Sequence, residues 1–131
     1  AERLVNWVRV VKSNAEIKLM QSAARITESA MKTAFKSINP GVRQCDAVAD
    51  IQKALFNGTP EFGGDYPSIG TLLPTGKGTS ASHLTATEDK FVLGEATIIE
   101  IAGVYRKKHC PMARTGLMGE KKQIPKLFDS T

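Results

Sequence analysis

The sequence predicts an α+β protein in which two amphipathic helices pack on one face of a mostly antiparallel sheet. Apolar residues recur at helical spacing in about the first 60 residues, whereas residues 62–83 are rich in glycine and proline. A β-branched apolar run at residues 97–105 and a second strand-like segment at 109–117 follow. Helices that precede a run of strands are typical of the α+β class.

The composition indicates one ordinary globular domain. The 131 residues are 41% hydrophobic and 24% charged, and no apolar run is long enough for a membrane span. The net charge is +5, but the basic residues are scattered and few aromatic side chains lie among them, so no nucleic-acid partner is expected. The two cysteines form no CxxC pair, and no export signal is visible at the start. Both features favour a cytoplasmic protein.

Residues 1–12 are short and rich in valine, which predicts a lead-in strand or linker that Trp7 anchors to the core. A helix should then begin at Ser13, because Ser13 and Glu16 form a capping-box pattern. Asn39, Pro40 and Gly41 should end it. Its apolar stripe is Ile17, Met20, Ala24, Thr27, Met31, Ala34 and Ile38.

A second helix is expected over residues 44–56, with Cys45, Val48 and Leu55 on its inner face. The glycines and prolines of residues 62–83 predict strands joined by tight turns. The stretch 76–80 resembles a phosphate-binding loop, but glycine instead of serine or threonine follows Lys77, so no nucleotide site is predicted. Residues 120–131 form a polar tail.

Glu100 is the most informative residue of the 97–105 strand. A carboxylate within an apolar strand is costly to bury unless a partner or a function uses it. His83 lies seventeen residues upstream, and we expect both side chains to face one pocket. The alternative is a structural ion pair between Glu100 and Arg114 or Arg106.

Five short motifs together resemble a known family. They are Ser13-x-x-Glu16-Ile17, Asn39-Pro40-Gly41-Val42, Ser82-His83, Glu100-Ile101-Ala102-Gly103 and Ala113-Arg114-Thr115. Their order resembles the first half of the "pita-bread" domain of methionine aminopeptidase, Xaa-Pro dipeptidase and creatinase, the peptidase M24 family. The resemblance implies that residues 13–119 are the first half of a catalytic domain, whose second half supplies a further histidine and two acids.

The stretches 63–67, 72–74, 80–85 and 109–111 resemble ectoine hydrolases, the ring-opening members of this fold. That resemblance implies a hydrolase that opens the cyclic amidine of ectoine, a small molecule, to N-acetyl-diaminobutyrate. Glu100 and His83 are then the expected catalytic residues. The expected substrate-binding residues are Asp65, Tyr66, His109 and Arg114.

The family's metallopeptidases hold two metal ions partly through two aspartates eleven residues apart. Glu100 and Pro111 stand at those positions in this chain, and proline offers no metal ligand. We therefore expect no metal and no cofactor, with two divalent metal ions only if the protein is an Xaa-Pro peptidase. An inactive fragment is a further alternative, and a homodimer is a possible assembly.

Overall fold

The computed structural model describes residues 3–119. In chain order, its helices and strands are α1 (Leu4–Val10), α2 (Asn14–Ser37), α3 (Gln44–Asn57), β1 (Ala96–Tyr105) and β2 (Lys108–Leu117). A 3₁₀ helix at Gly76–Ser80 lies between α3 and β1. The helix α2 packs on both strands of the antiparallel β1–β2 hairpin, and α3 packs on α2 and contacts β1, so the predicted α+β class is confirmed.

The predicted capping box begins α2. The Ser13 hydroxyl accepts a hydrogen bond from the Glu16 backbone N–H at 3.3 Å, and the Ser13 N–H donates to the Glu16 carboxylate at 2.9 Å. Ile17, the first residue of the predicted apolar stripe, is exposed. The buried face of α2 is therefore slightly displaced from that stripe. Its buried residues are Ala23, Ile26, Thr27, Ala30, Met31 and Ala34.

The described part of the predicted lead-in, residues 3–12, is not a strand. Residues Leu4–Val10 form the short helix α1, none of whose side chains is buried. Trp7 is 71% exposed, so the expectation that it anchors the segment to the core is wrong. Valine is tolerated in a helix at a small cost, and no described strand lies beside the segment to favour the extended form. Within the described residues, no helix is long and apolar enough to cross a bilayer.

The strand β1 lies between two neighbours. On one side it pairs with β2, and on the other it forms isolated bridges from Leu72 to Glu100 and from Thr75 to Thr97. Residues 62–83 therefore contribute one strand-like edge at 71–75 and the 3₁₀ helix, not the predicted series of strands. Their glycines and prolines interrupt continuous pairing.

Successive side chains of β1 point to opposite faces of the sheet. Ile99, Ile101 and Gly103 face the helices, and Gly103 lies directly against α2. Glu100, Ala102 and Val104 lie on the other face, which we call the far face. The core is thus on one side of β1 and the predicted catalytic carboxylate on the other.

Candidate active site

Glu100 lies near the middle of β1, where backbone pairing on both sides holds it. Its N–H and C=O each bond to Leu72 at 3.0 Å, and Ala113 is its partner on β2. The side chain is half-buried on the far face. Because three aligned segments fix the backbone at this point, the carboxylate emerges from a rigid position.

His83 lies in the loop after the 3₁₀ helix. Its φ of 61° is in the left-handed region, which is uncommon for a residue other than glycine. The Leu73 N–H donates to the Leu84 carbonyl at 3.1 Å and ties this loop to the strand-like edge beside β1. Such a conformation is maintained only where the surroundings hold it, and it often occurs at functional sites.

Glu100 and His83 line the same cleft, which has a volume of about 390 Å³. The cleft is formed by the far face of β1, the strand-like edge and the loop that carries His83. One carboxylate and one imidazole are its titratable groups, and no lysine or arginine of the described chain lines it. The other lining residues are Leu72, Pro74, Thr79, Ser80, Ala81, Ser82 and Ile98.

Glu100 makes no ion pair with any described residue. The Arg114 guanidinium donates to the Ala113 carbonyl at 2.7 Å, and that of Arg106 lies 5.6 Å from the centre of the Tyr105 ring. The alternative that Glu100 is a structural acid paired with either arginine is therefore wrong for the described residues. The carboxylate is available to a ligand in the cleft.

Asp65 and Tyr66 lie at the hairpin-turn end of the sheet. The Asp65 N–H donates to Val104 at 2.9 Å, and its carboxylate accepts from the Lys107 N–H at 3.2 Å. Val104 is four residues from Glu100, which is about 13 Å along a strand. Tyr66 is 64% exposed, with the Lys107 ammonium 4.4 Å from its ring centre. Neither residue lines the cleft.

Arg114 and His109 also lie outside the cleft. Arg114 pairs with Ile99 in the β1–β2 register, which puts it on the opposite face from Glu100. His109 pairs with Val104 and so lies on the far face, but near the turn. Its Nε2 accepts a hydrogen bond from the Ser68 N–H at 3.1 Å.

The structure adds three hydroxyl groups to the cleft that were not among the predicted site residues. Thr79 and Ser80 donate their hydroxyl hydrogens to backbone carbonyls of the 3₁₀ helix, whereas the Ser82 hydroxyl bonds to no other described residue. In the sequence, Thr79 and Ser80 lie in the rejected phosphate-loop pattern, while Ser80 and Ser82 also lie in the stretch 80–85 that resembles ectoine hydrolases. A second cleft of about 400 Å³, lined by Lys77 and Glu95 among others, adjoins the first at Pro74. No spacing in the sequence predicts it.

Comparison with known proteins assigns the family. The family model described as metallopeptidase family M24 matches residues 18–130. The chain belongs to this family. The M24 match covers nearly all of α2, the whole of α3, the cleft and the hairpin, so Glu100 and His83 both lie within the family's domain.

Relatives in the M24 family include an ectoine hydrolase from Halomonas elongata, 43% identical over 124 residues. That match covers 91% of this chain and 31% of the hydrolase. An Xaa-Pro dipeptidase from Pyrococcus horikoshii is 22% identical over 124 residues, or 94% of this chain and 34% of the dipeptidase. The chain thus spans about a third of the length of the curated relatives that it matches.

Solved structures of M24 proteins share the fold. A prolidase from Pyrococcus furiosus superposes with a TM-score of 0.80 at 20% identity, over 86% of this chain and 34% of the prolidase. An Xaa-Pro dipeptidase from Bacillus anthracis gives a TM-score of 0.81 at 24% identity, over 98% of this chain and 35% of the dipeptidase. The predicted pita-bread half-domain is confirmed as a fold.

The described residues do not by themselves fit a two-metal centre. Pro111 is exposed on β2 and has no side-chain ligand, while Glu100 is the one carboxylate of the cleft. Across residues 3–119, no group of three or more His, Cys, Asp or Glu side chains is arranged to hold an ion. A two-metal site needs several oxygen and nitrogen ligands around each cation.

Proposed function

We propose that the complete protein is a hydrolase of the ectoine-hydrolase type, which opens a cyclic amidine without a metal ion. The observation that carries the proposal is the shared cleft of Glu100 and His83, in which both side chains are available to a ligand. The 43% identity with an ectoine hydrolase supports the choice of substrate. Pro111, at the position of a family metal ligand, supports a mechanism without metal.

The reaction joins one water molecule to the amidine and breaks one ring C–N bond. The amidinium is a cation with an electrophilic central carbon, so a carboxylate is a suitable partner for it. Glu100 either pairs with that cation or attacks its carbon as a nucleophile. In the second case, water then adds to the same carbon and the bond to the Glu100 carboxylate breaks, which regenerates the free acid. The water oxygen becomes the amide oxygen of the product, and the released ring nitrogen becomes a primary amine.

His83 moves the proton that this reaction requires. The departing nitrogen must gain a proton, and the attacking water must lose one. Imidazole can do both near neutral pH. In the proposed mechanism His83 faces the substrate from the loop, opposite the carboxylate on the strand. The walls formed by Leu72, Pro74 and Ile98 would limit the access of bulk water.

The experiment uses the full-length protein and follows ectoine turnover. Glu100→Gln keeps the shape of the side chain but removes its charge and nucleophilicity. We expect kcat/KM to fall by at least about 100-fold. Glu88→Gln is the matched control, because Glu88 is exposed and lines neither cleft. The Glu88→Gln protein should turn over ectoine as fast as the parent protein does.

Unchanged turnover in the Glu100→Gln protein would remove Glu100 from the mechanism. Failure of the parent protein to open ectoine, in an assay that a known ectoine hydrolase passes, would remove the substrate. The roles of Asp65, Tyr66, Arg114 and His109 in substrate binding, a homodimer and a cytoplasmic location stay predictions.

The second candidate is an Xaa-Pro metallopeptidase, which the M24 match and the Xaa-Pro dipeptidase relatives favour. Metal analysis of the purified full-length protein distinguishes the two. Two transition-metal ions per chain, together with cleavage of an Xaa-Pro dipeptide that a chelator abolishes, would favour the peptidase. Ectoine turnover that survives chelation would favour the proposed reaction.

A further inference from the structure

Two residues on the far face of the sheet are buried, although no helix within residues 3–119 covers them. Ala102 is 3% exposed and Val104 is 1% exposed. The chain segment 65–70, which we call the strap, runs along this end of β1. It is bonded at one end by the Asp65 N–H to the Val104 carbonyl at 2.9 Å. Just beyond its other end, Leu72 pairs with Glu100.

His109 holds the middle of the strap. It pairs with Val104 in the hairpin, so its side chain stands on the far face beside that of Val104. From β2 the ring reaches past Val104 to the strap on the other side of β1, where its Nε2 accepts from the Ser68 N–H at 3.1 Å. The His109 side chain thus connects β2 to the strap, which lie on opposite sides of β1, the strand that carries Glu100.

This hydrogen bond requires a neutral ring. A histidine nitrogen that accepts carries no proton, so the ring proton must be on Nδ1. A protonated ring has two donors and no acceptor, and its Nε2–H would face the Ser68 N–H. We propose that neutral His109 is a positioning residue that holds the strap over the far face, and that its protonation releases the strap.

Release of the strap would affect the proposed active site through Leu72. The strap continues directly into the strand-like edge that pairs with Glu100 and forms one wall of the cleft. An unpinned strap would loosen that pairing and expose Ala102 and Val104. This consequence rests on the proposed function of Glu100, whereas the link between His109 and Ser68 does not.

Charged groups from several elements line a small cleft together with His109 or contact its lining residues. They are Arg9 of α1, Lys12 and Glu16 at the start of α2, Lys107 and Lys108 of the hairpin turn, and Asp65 of the strap. Glu16 pairs with Lys108 at 2.6 Å. Carboxylate, ammonium and guanidinium groups ordinarily keep their charges between about pH 5 and pH 8, whereas imidazole gains a proton there.

The test is amide hydrogen exchange by NMR on the 131-residue chain, expressed as protection factors. The Ile38 amide, which bonds to the Ala34 carbonyl at 3.0 Å at the end of α2 and is not part of the strap or its neighbours, is the internal reference. We expect the protection of the Ser68 amide to fall by roughly tenfold relative to Ile38 between about pH 8 and pH 5. The fall should occur on acidification, because the acceptor is lost when the ring gains a proton.

Three variants make the test specific. His109→Gln places an amide oxygen where Nε2 stood and cannot titrate, so Ser68 should stay protected at both pH values. His109→Leu has no acceptor, so protection should be low at both. The chain has only two histidines, so His83→Gln leaves His109 as the one imidazole and should behave as the parent protein.

Three outcomes would overturn the proposal. They are pH-independent protection of Ser68 in the parent protein, full protection in His109→Leu, and a loss of protection in His109→Gln on acidification. Circular dichroism shows whether each variant is folded, and the glutamine variant keeps the test decisive if the leucine variant unfolds. Because no substrate is used, these outcomes are independent of whether ectoine is turned over.

Discussion

At the residue scale, Thr27 and Gly103 set the distance between α2 and the sheet. The buried Thr27 hydroxyl accepts from the Gly103 N–H at 2.9 Å, and it shares its hydrogen between the carbonyls of Cys110 at 2.7 Å and Ala23 at 3.0 Å. One side chain therefore joins the helix to both strands of the hairpin. This close approach is possible because residue 103 has no Cβ.

Gly103→Ala should destabilise the protein. The added Cβ would lie 2.6 Å from both the Ala23 oxygen and the Thr27 nitrogen, which are backbone atoms of α2. We expect the free energy of unfolding, measured with urea, to fall by about 1–3 kcal/mol. Gly70→Ala is the control, since nothing lies within 4 Å of its new Cβ, and it should change stability by less than about 1 kcal/mol. Equal effects at the two sites would contradict this account of the helix–sheet contact.

At the element scale, the start of α2 is held by its own cap and by the hairpin turn. The turn reverses with positive φ at Arg106 (46°) and Lys107 (67°), a geometry that usually contains asparagine or glycine. The Asp65 carboxylate accepts from the Lys107 N–H, and the Lys108 ammonium donates to Glu16 at 2.6 Å. Tertiary contacts therefore stabilise a turn whose residues alone do not favour it.

The cap of α2 should depend on pH through Glu16. The hydrogen bond from Lys108, and then those from the Ser13 backbone and hydroxyl, lower the pKa of Glu16 from 4.5 to about 2. A lowered pKa means that the charged form stabilises the fold at pH values above 4.5. This stabilisation should be lost as the pH falls towards about 2.

An NMR titration of the Glu16 carboxyl carbon checks this. In Lys108→Met the pKa of Glu16 should rise towards its usual value, while the bonds from Ser13 keep it partly lowered. Lys32→Met is the matched control. It removes the partner that lowers the pKa of Glu28 and should leave the titration of Glu16 unchanged. An unaltered midpoint for Glu16 in Lys108→Met would show that the turn does not hold the cap.

At the scale of the whole molecule, the core excludes α1. The buried cluster joins α2, α3, β1 and the segments that follow α3, whereas no side chain of α1 is buried. The domain boundary predicted between residues 12 and 13 would likewise separate α1 from the helices and strands that form the core. That boundary stays a prediction.

Removal of residues 1–10 should leave the stability of the remaining chain almost unchanged. Since α1 buries no side chain, we expect the free energy of unfolding to change by less than about 0.5 kcal/mol. Ile26→Ala, which empties part of the core, should instead cost about 2–5 kcal/mol. A loss above about 1 kcal/mol on truncation, the effect of an ordinary destabilising substitution, would mean that α1 belongs to the folded unit.

The sequence alone determined the two long helices and the hairpin, because a capping box, apolar residues at helical spacing and β-branched runs are local signals. The order of the family motifs also predicted the pita-bread fold and identified Glu100 and His83 as candidate catalytic residues. Tertiary structure decided which residues share the cleft. The sequence shows the charge of Asp65 and of Arg114 but not where either side chain lies. The bond to the Lys107 N–H puts Asp65 at the turn, and strand register puts Arg114 on the helix side of the sheet. The strap bond between Ser68 and His109 joins residues 41 positions apart, so no local pattern could predict it.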